Sequence, residues 1–404
     1  MSGGIDEVSF LVIVLVAAVS GGLALVLEPK LAIPVVVMEL IIGVVVGPHV
    51  LDLAQLDDST MFFGNLGLGM LFFFAGYEID FDRIKGRPLE LGGAGWLISL
   101  AIAYAVGAGL AAAGVIDTFL YVGSALATTA IGTLIPILRD SGDLKTNFGT
   151  HLLAAGAVGE FGPILLITLI LSTGHPLHEA LILVLFIALA VFTGVFAVRG
   201  AGRGWKMLER TIESSAQLAV RLAVVLVFGL VALAADLGLD LLLGGFVAGL
   251  ITRLVVRGRE VRVLDSKLTA VGYGFLIPFF FVTSGMAFHI NTLFSGPATI
   301  AKMFMFLGLF LIVRGVPALL LYRHFLNARE RVALAFFCST ELPLVVAITT
   351  LAVDAGHMRA STSAGLVGAA ILSTLIYPLI GMSLRSVTSS PGTDSTPRSD
   401  PEPA

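Results

Sequence analysis

The stretch CSTELPLV (338–345) decides how this chain is read. It sits inside an otherwise apolar run, and a glutamate within a bilayer-length apolar segment is costly enough to mark function by default. Pro343 removes a helix donor directly after Glu341, so the stretch reads as the unwound centre of a broken membrane helix. A second hydroxyl-rich break, SALATTAIGTLIP (124–136), stands in the first half of the chain. Each break follows, at similar spacing, a Phe-rich segment: MLFFFAGYEID (70–80) and PFFFVTSGMAFHI (278–290). One such match would be ordinary in a membrane protein, but two in the same order point to an internal repeat.

Composition bounds the class. Of 404 residues 57% are hydrophobic and 13% charged, against about 25% charged in a soluble domain. Mean hydropathy is +0.99. The single cysteine, Cys338, excludes a disulfide framework and a multi-cysteine metal site. The first apolar segment is flanked by Asp6 and Glu7 without a small-residue cleavage pattern, so it reads as a retained span and not a signal peptide. The sequence expects one transmembrane domain over 1–386 and a disordered cytoplasmic tail over 387–404, where Pro, Ser and Thr dominate.

Splitting at polar loops predicts about thirteen transmembrane helices: 8–27, 31–50, 61–77, 89–113, 119–139, 149–173, 179–198, 217–235, 238–256, 270–290, 298–322, 329–353 and 362–384. With the N-terminus outside, all basic residues but Lys302, Arg314 and Arg359 of the 24 fall in inner loops and helix ends, and the C-terminus is cytoplasmic. Outer loops carry Asp52, Asp57, Asp58, Asp117, Asp236, Asp240 and Asp354. The third and tenth spans then run in opposite directions, so the repeat is inverted. The fold class expected is an all-α polytopic membrane protein with two crossed broken helices.

Depth along each span, at about 1.5 Å per residue, places Glu160, Arg314, Glu341 and the pair Thr128-Thr129 in one layer near mid-membrane. Glu160 lies in AAGAVGEFGPILL, where Gly156, Gly159 and Gly162 leave room and Pro163 frees a carbonyl. Such a carboxylate could hold a proton or a bare monovalent cation but not both, which suffices for exchange. The plain alternative is a structural Glu–Arg pair stapling two helices. Thr128, Thr129 and Gly159 complete the expected binding set. Ser339 and Thr340 are secondary candidates, and the Thr pair could equally bond back to its own helix. Glu341 reads as a compensator of facing helix dipoles. Arg314 either pairs with Glu160 or Glu341 or stands in for the cation. Glu39, in PVVVMELIIGVVVGP, is a further intramembrane acid with a dimer-interface, cavity-lining or ion-binding role. The seven histidines lack metal-ligand spacing, and Gly43-xxx-Gly47 and Gly245-xxx-Gly249 are close-packing signals. No phosphate-cradling loop or nucleic-acid patch occurs, and neither an enzyme activity nor a cofactor is expected.

ELIIGVVVGPHVL, GLGMLFFFAGYEIDFDRIK, LGGFVAGLITR and FLIPFFFVTSGMAFHI, in that order, resemble the second cation:proton antiporter family, which includes Kef-type and Nap-type exchangers. The resemblance spans residues 8 to about 384. It implies a homodimer of thirteen-helix protomers in a bacterial-type plasma membrane, each with a dimerisation part and a six-helix core that moves as an elevator. It also implies that the essential acid of the sixth span is Glu160. Relatives place Asp-Asp, Asn-Asp or Gln-Asp there, and this chain has Gly159-Glu160. Arg314 stands where electrogenic relatives have a lysine. Kef-type regulation by a nucleotide-binding domain would here require a separate regulatory subunit.

The function expected is exchange of Na+ or K+ for H+, electroneutral because a single carboxylate titrates beside a permanently charged Arg314. A partner-gated cation efflux channel and a carrier of organic anions on the same fold are the alternatives. Two carboxylates at the crossing argue against the anion carrier.

Overall fold

The computed structural model describes residues 6–27, 35–79, 84–170, a few positions between 184 and 192, 217–237, 241–255, 260–288 and 290–386. The predicted span 179–198 falls largely, and the tail 387–404 wholly, outside the described residues. Every regular element described is helical: α1 (Glu7–Leu27), α2 (Val35–Val46), α3 (Asp58–Tyr77), α4 (Arg87–Ala112), α5 (Phe119–Leu126), α6 (Ile131–Asp140), α7 (Asn147–Ile170), α8 (Leu218–Asp236), α9 (Leu241–Val255), α10 (Glu260–Val271), α11 (Ile277–Ala287), α12 (Pro297–Leu321), α13 (Ala328–Cys338), α14 (Pro343–Asp354) and α15 (Ala360–Ser386). Among the described residues, eight helical segments are long and apolar enough to cross a membrane, and shorter apolar helices add to them. A π-helical turn, Gly272–Leu276, joins α10 to α11 into one span.

The two predicted breaks are real interruptions. α5 stops at Leu126 and α6 begins at Ile131. α13 stops at Cys338 and α14 begins at Pro343, whose ring suits the first turn of a helix and whose missing N–H costs nothing there. Helix entries from loops are set by capping boxes, in which side chain and backbone satisfy each other. Asp57 and Thr60 do this for α3, and Asn327 and Glu330 for α13.

The helices sort into two packing groups. One holds α1, α2, α3, α8, α9, α10 and α11, and the other α4 to α7 with α12 to α15. In the first group two seams are tight enough to require glycine. A Cβ on Gly43 or Gly47 would run into the α11 backbone at Val282 and Met286. A Cβ on Gly245 or Gly249 would run into the α3 backbone at Gly69 and Phe73. Both seams run parallel, since rising numbers on one helix meet rising numbers on its partner. They pair the second span with the tenth and the ninth with the third, as an inverted repeat demands. α3 meets α11 in the opposite sense, with Gly64 against Thr283 and Gly67 against Leu276. The small-residue signals read from sequence therefore serve helix packing within the chain.

Candidate ion-binding site

At the centre of the second group the two breaks cross. The Ala130 N–H donates to Thr340 O at 2.8 Å, and the Thr129 N–H donates to Gly159 O at 3.1 Å. Backbone that has left a helix inside a membrane must find partners within the protein, and these bonds supply them. Trp96 of α4 steadies the end of α5 by donating from Nε1 to Ala127 O at 3.1 Å. On the far side, Ser373 and Thr374 of α15 close on Glu341. Its N–H donates to Ser373 Oγ at 3.0 Å, and its carbonyl accepts from Thr374 Oγ1 at 2.9 Å.

Glu160, Thr128, Thr129, Gly159, Arg314, Ser339, Thr340 and Glu341 are all buried and share this crossing. The backbone amides of Ile131 and Gly132, the first residues of α6, face the Glu160 carboxylate. A half-helix N-terminus thus points its positive end at the acid. Oε2 of Glu160 has no hydrogen-bond partner among the described residues. Glu341 takes a different position: one carboxylate oxygen meets the Thr128 hydroxyl, and Oε1 is without a partner among the described residues. Glu160, and not Glu341, therefore faces the helix dipole end. Each acid keeps one buried oxygen uncommitted.

Arg314 forms an ion pair with neither carboxylate within the described residues. Its Nε donates to Thr129 Oγ1 at 2.9 Å and, at 3.4 Å, to Cys338 O. Nη1 donates to Ser99 Oγ at 3.2 Å and Nη2 to Ala155 O at 3.3 Å. Its charge, like that of Glu160, acts on Glu341 through space. A side chain on Gly159 would run into the Arg314 guanidinium and reach within 2.9 Å of Thr129 Oγ1. The guanidinium fills the space that an acid next to Glu160 would need.

The hydroxyls divide. Thr128 Oγ1 lies 3.0 Å from Ala125 O on its own helix as well as against Glu341. Thr129 Oγ1 approaches Cys338 O at 2.5 Å while accepting from Arg314. Ser339 and Thr340 turn their hydroxyls back to Ala335 O and Phe336 O, so Thr340 serves the crossing through its backbone. Glu39 lies apart, buried in α2 of the other packing group. Among the described residues no cluster of three His, Cys, Asp or Glu side chains forms a metal site. Sequence reading missed Ser99, Trp96, Ser373 and Thr374. The last pair carried a signal: it follows Glu341 by nearly the interval that separates Glu160 from Thr129.

Comparison with known proteins agrees with this geometry. The transmembrane sodium/hydrogen exchanger family matches residues 12–384. A Bacillus subtilis protein named as the Na(+)/H(+) antiporter YjbQ is 27% identical over 370 residues, covering 87% of this chain. This chain spans 59% of that relative's length. The Na(+)/H(+)-K(+) antiporter GerN of Bacillus cereus is 27% identical over 151 residues, 36% of this chain and 38% of that one. In fold, the chain is similar to the sodium proton antiporter MjNhaP1 of Methanocaldococcus jannaschii, with a TM-score of 0.61 and 16% identity, covering 95% of this chain and 99% of the other. A multi-pass chain whose inverted halves cross at two buried carboxylates, matched by this family over nearly its full length, belongs to the sodium/hydrogen exchanger family.

Proposed function

We propose that the protein exchanges a monovalent cation, Na+ or K+, for protons, and that cation and proton occupy Glu160 in turn. The observation that carries this is the Glu160 carboxylate itself. It is buried at the crossing, with α6 amides facing it and one oxygen, Oε2, without a partner among the described residues. A proton on the free oxygen, or a dehydrated cation beside it, neutralises the same charge, so each excludes the other. Glu341, Thr128 and freed backbone carbonyls are within the same crossing and are suited to complete a cation's oxygen shell. Sodium is the cation in the names of the relatives above, and potassium appears in one of them.

Exchange is electroneutral in this reading, because the permanently charged Arg314 is held by neutral oxygens and has no proton to release. The second packing group acts as the moving core and the first as the scaffold, which pairs with a second copy in a homodimer. The outward apolar face of α1, with Val8, Leu11, Leu15 and Val19, supports a scaffold buried in lipid or against another subunit. Orientation with the N-terminus outside follows from the distribution of basic residues.

The test is collapse of an imposed pH gradient in proteoliposomes on addition of Na+, K+ or Li+. Wild type should show cation-dependent collapse, and Glu160→Gln should abolish it while the protein still folds. Cation-dependent proton movement that survives in Glu160→Gln would overturn the assignment. Steady cation flux without counter-movement of protons would favour a channel.

A further inference from the structure

The seam between the two packing groups is largely apolar where its contacts are described. Phe161 of α7 stacks on Phe246 of α9 with ring centroids 5.0 Å apart, and Leu71 of α3 packs over Gly132. Among the side-chain hydrogen bonds that join described residues, three cross from one group to the other: Asn291, in a short turn packed on α12 and α15, donates to His49 O at 3.5 Å, and the other two both end on α6. At its C-terminal end Arg139 pairs with Glu78, the cap residue of α3. At its N-terminal end the Tyr273 hydroxyl donates to Gly132 O at 3.5 Å. Gly132 is one of the two residues whose amides face Glu160.

Tyr273 reaches α6 because of a local anomaly. It lies in the π-turn Gly272–Leu276, and such single-turn bulges inside helices are frequent at functional sites. Gly272 lets that turn close on α3, since a Cβ there would enter the Phe74 ring, and the Tyr273 ring packs on Phe74 at 4.9 Å. Asp265 and Arg253 of the same group stand near enough to act on Glu78 electrostatically.

We infer that Tyr273, Glu78 and Arg139 are positioning residues. They latch the half-helix α6 to the scaffold in one end state of the cycle and so set how often the Glu160 site faces each side of the membrane. This rests on the exchanger reading and on movement of the core against the scaffold. A seam without polar links would let the core slide with little preference. Two bonds on one short helix stabilise the state in which they form. Because the same peptide carries one of the amides that meet Glu160, the latch is coupled to the site it controls.

Linkage gives the latch a signature that a merely structural role lacks. A bond present in one state and absent in the other changes the populations, and apparent affinity from each side follows the fraction of protein facing that side. Tyr273→Phe and Glu78→Gln should each weaken apparent cation affinity on one face and strengthen it on the other. The change expected is about threefold to tenfold, the yield of one partly exposed ion pair or hydrogen bond. The measurement is cation dependence of proton movement in right-side-out and inside-out vesicles. The exchanged pair Glu78→Arg with Arg139→Glu should restore both values toward wild type. Equal change on both faces, no change, or no restoration by the exchanged pair would overturn the inference.

A second measurement does not depend on transport. Spin labels on cysteines introduced at the exposed positions Leu97 of α4 and Leu222 of α8 report the distance between the groups. Tyr273→Phe and Glu78→Gln should enlarge a second distance population at the expense of the wild-type one. An unchanged distribution overturns the latch even if exchange proceeds normally. Wild-type vesicles that move no protons would instead refute the exchanger reading, leaving the distance measurement to decide the latch.

Discussion

Arg314 presents a full charge to four neutral oxygens, so its worth depends on geometry and not on a countercharge. Gly159 is the residue that makes this geometry available. Gly159→Ala should displace the guanidinium from Thr129 and destabilise the protein by about 1–3 kcal/mol, the range for overfilling a packed interior. Thermal unfolding in detergent reads this directly, and an unchanged midpoint would mean that the guanidinium has another place to go. Arg314→Lys tests the charge balance. A lysine can lose its proton when a cation arrives, so transport in this variant should respond to an imposed membrane potential while wild type does not. A wild-type response to potential at equal pH and equal cation on both sides would refute electroneutral exchange. That Glu160, Glu341 and Arg314 would lie together in the interior was legible, because charge inside a bilayer is too costly to be scattered at random. Their partners were not. Ser99 is an ordinary serine until the fold turns it toward Nη1 of Arg314.

Each broken span is two short helices joined by four residues, and the crossing depends on single backbone bonds. Ala130 already has a φ of −85°, close to the range that proline adopts. Ala130→Pro therefore deletes one donor with little other backbone change at that residue. Thr340 O would lose its 2.8 Å partner, at a cost of about 1–3 kcal/mol for a buried acceptor left unpaired. The unfolding midpoint should fall, and exchange should fall with it because Glu160 is held by the helix that begins one residue later. Intact exchange in a folded Ala130→Pro protein would show that the crossing tolerates a gap. The second break was legible from Pro343 and Glu341, and the first from its hydroxyls only beside that matching break. Which helix end would face which acid was not legible, since that pairing joins segments far apart in sequence.

At the scale of the molecule, the core group is clasped at both ends by ion pairs. At one end Arg359 grips Asp117, with Nε to Oδ1 at 2.7 Å, and Thr118 donates to His357 O. At the other, Arg385 bridges Asp143 and Glu330, the latter at 2.7 Å, and lies 4.5 Å over the Phe148 ring. The Arg359 hydrogen bond and charge hold the Asp117 carboxyl below its ordinary value. A depressed carboxylate stabilises the fold above its unfolded value, about 3.9, and that contribution disappears as pH falls through the lower folded one. Asp117→Asn should therefore unfold at a lower temperature than wild type near pH 6, with the gap closing below about pH 4. A gap that persists unchanged into acid would assign the effect to packing instead of charge. The alternation of helix directions was legible from the positions of lysine and arginine alone. The division into two groups was not, because the apolar patterning is the same on faces that meet lipid and faces that meet another helix.

The crossing also imposes a timetable on biosynthesis. α5 has 8 residues and α6 has 10, so each is roughly 12–15 Å long and neither can span a bilayer alone. The exposed peptide between them finds one of its partners at Thr340, whose codon is read about 210 residues after that of Ala130. At about 5–20 residues per second, the first break waits roughly 10–40 s in the membrane or its insertion machinery before its partner exists. During that interval the nascent chain carries unpaired peptide groups at mid-membrane depth. Shelter from lipid over that time is a requirement of making this protein, separate from anything it does once made.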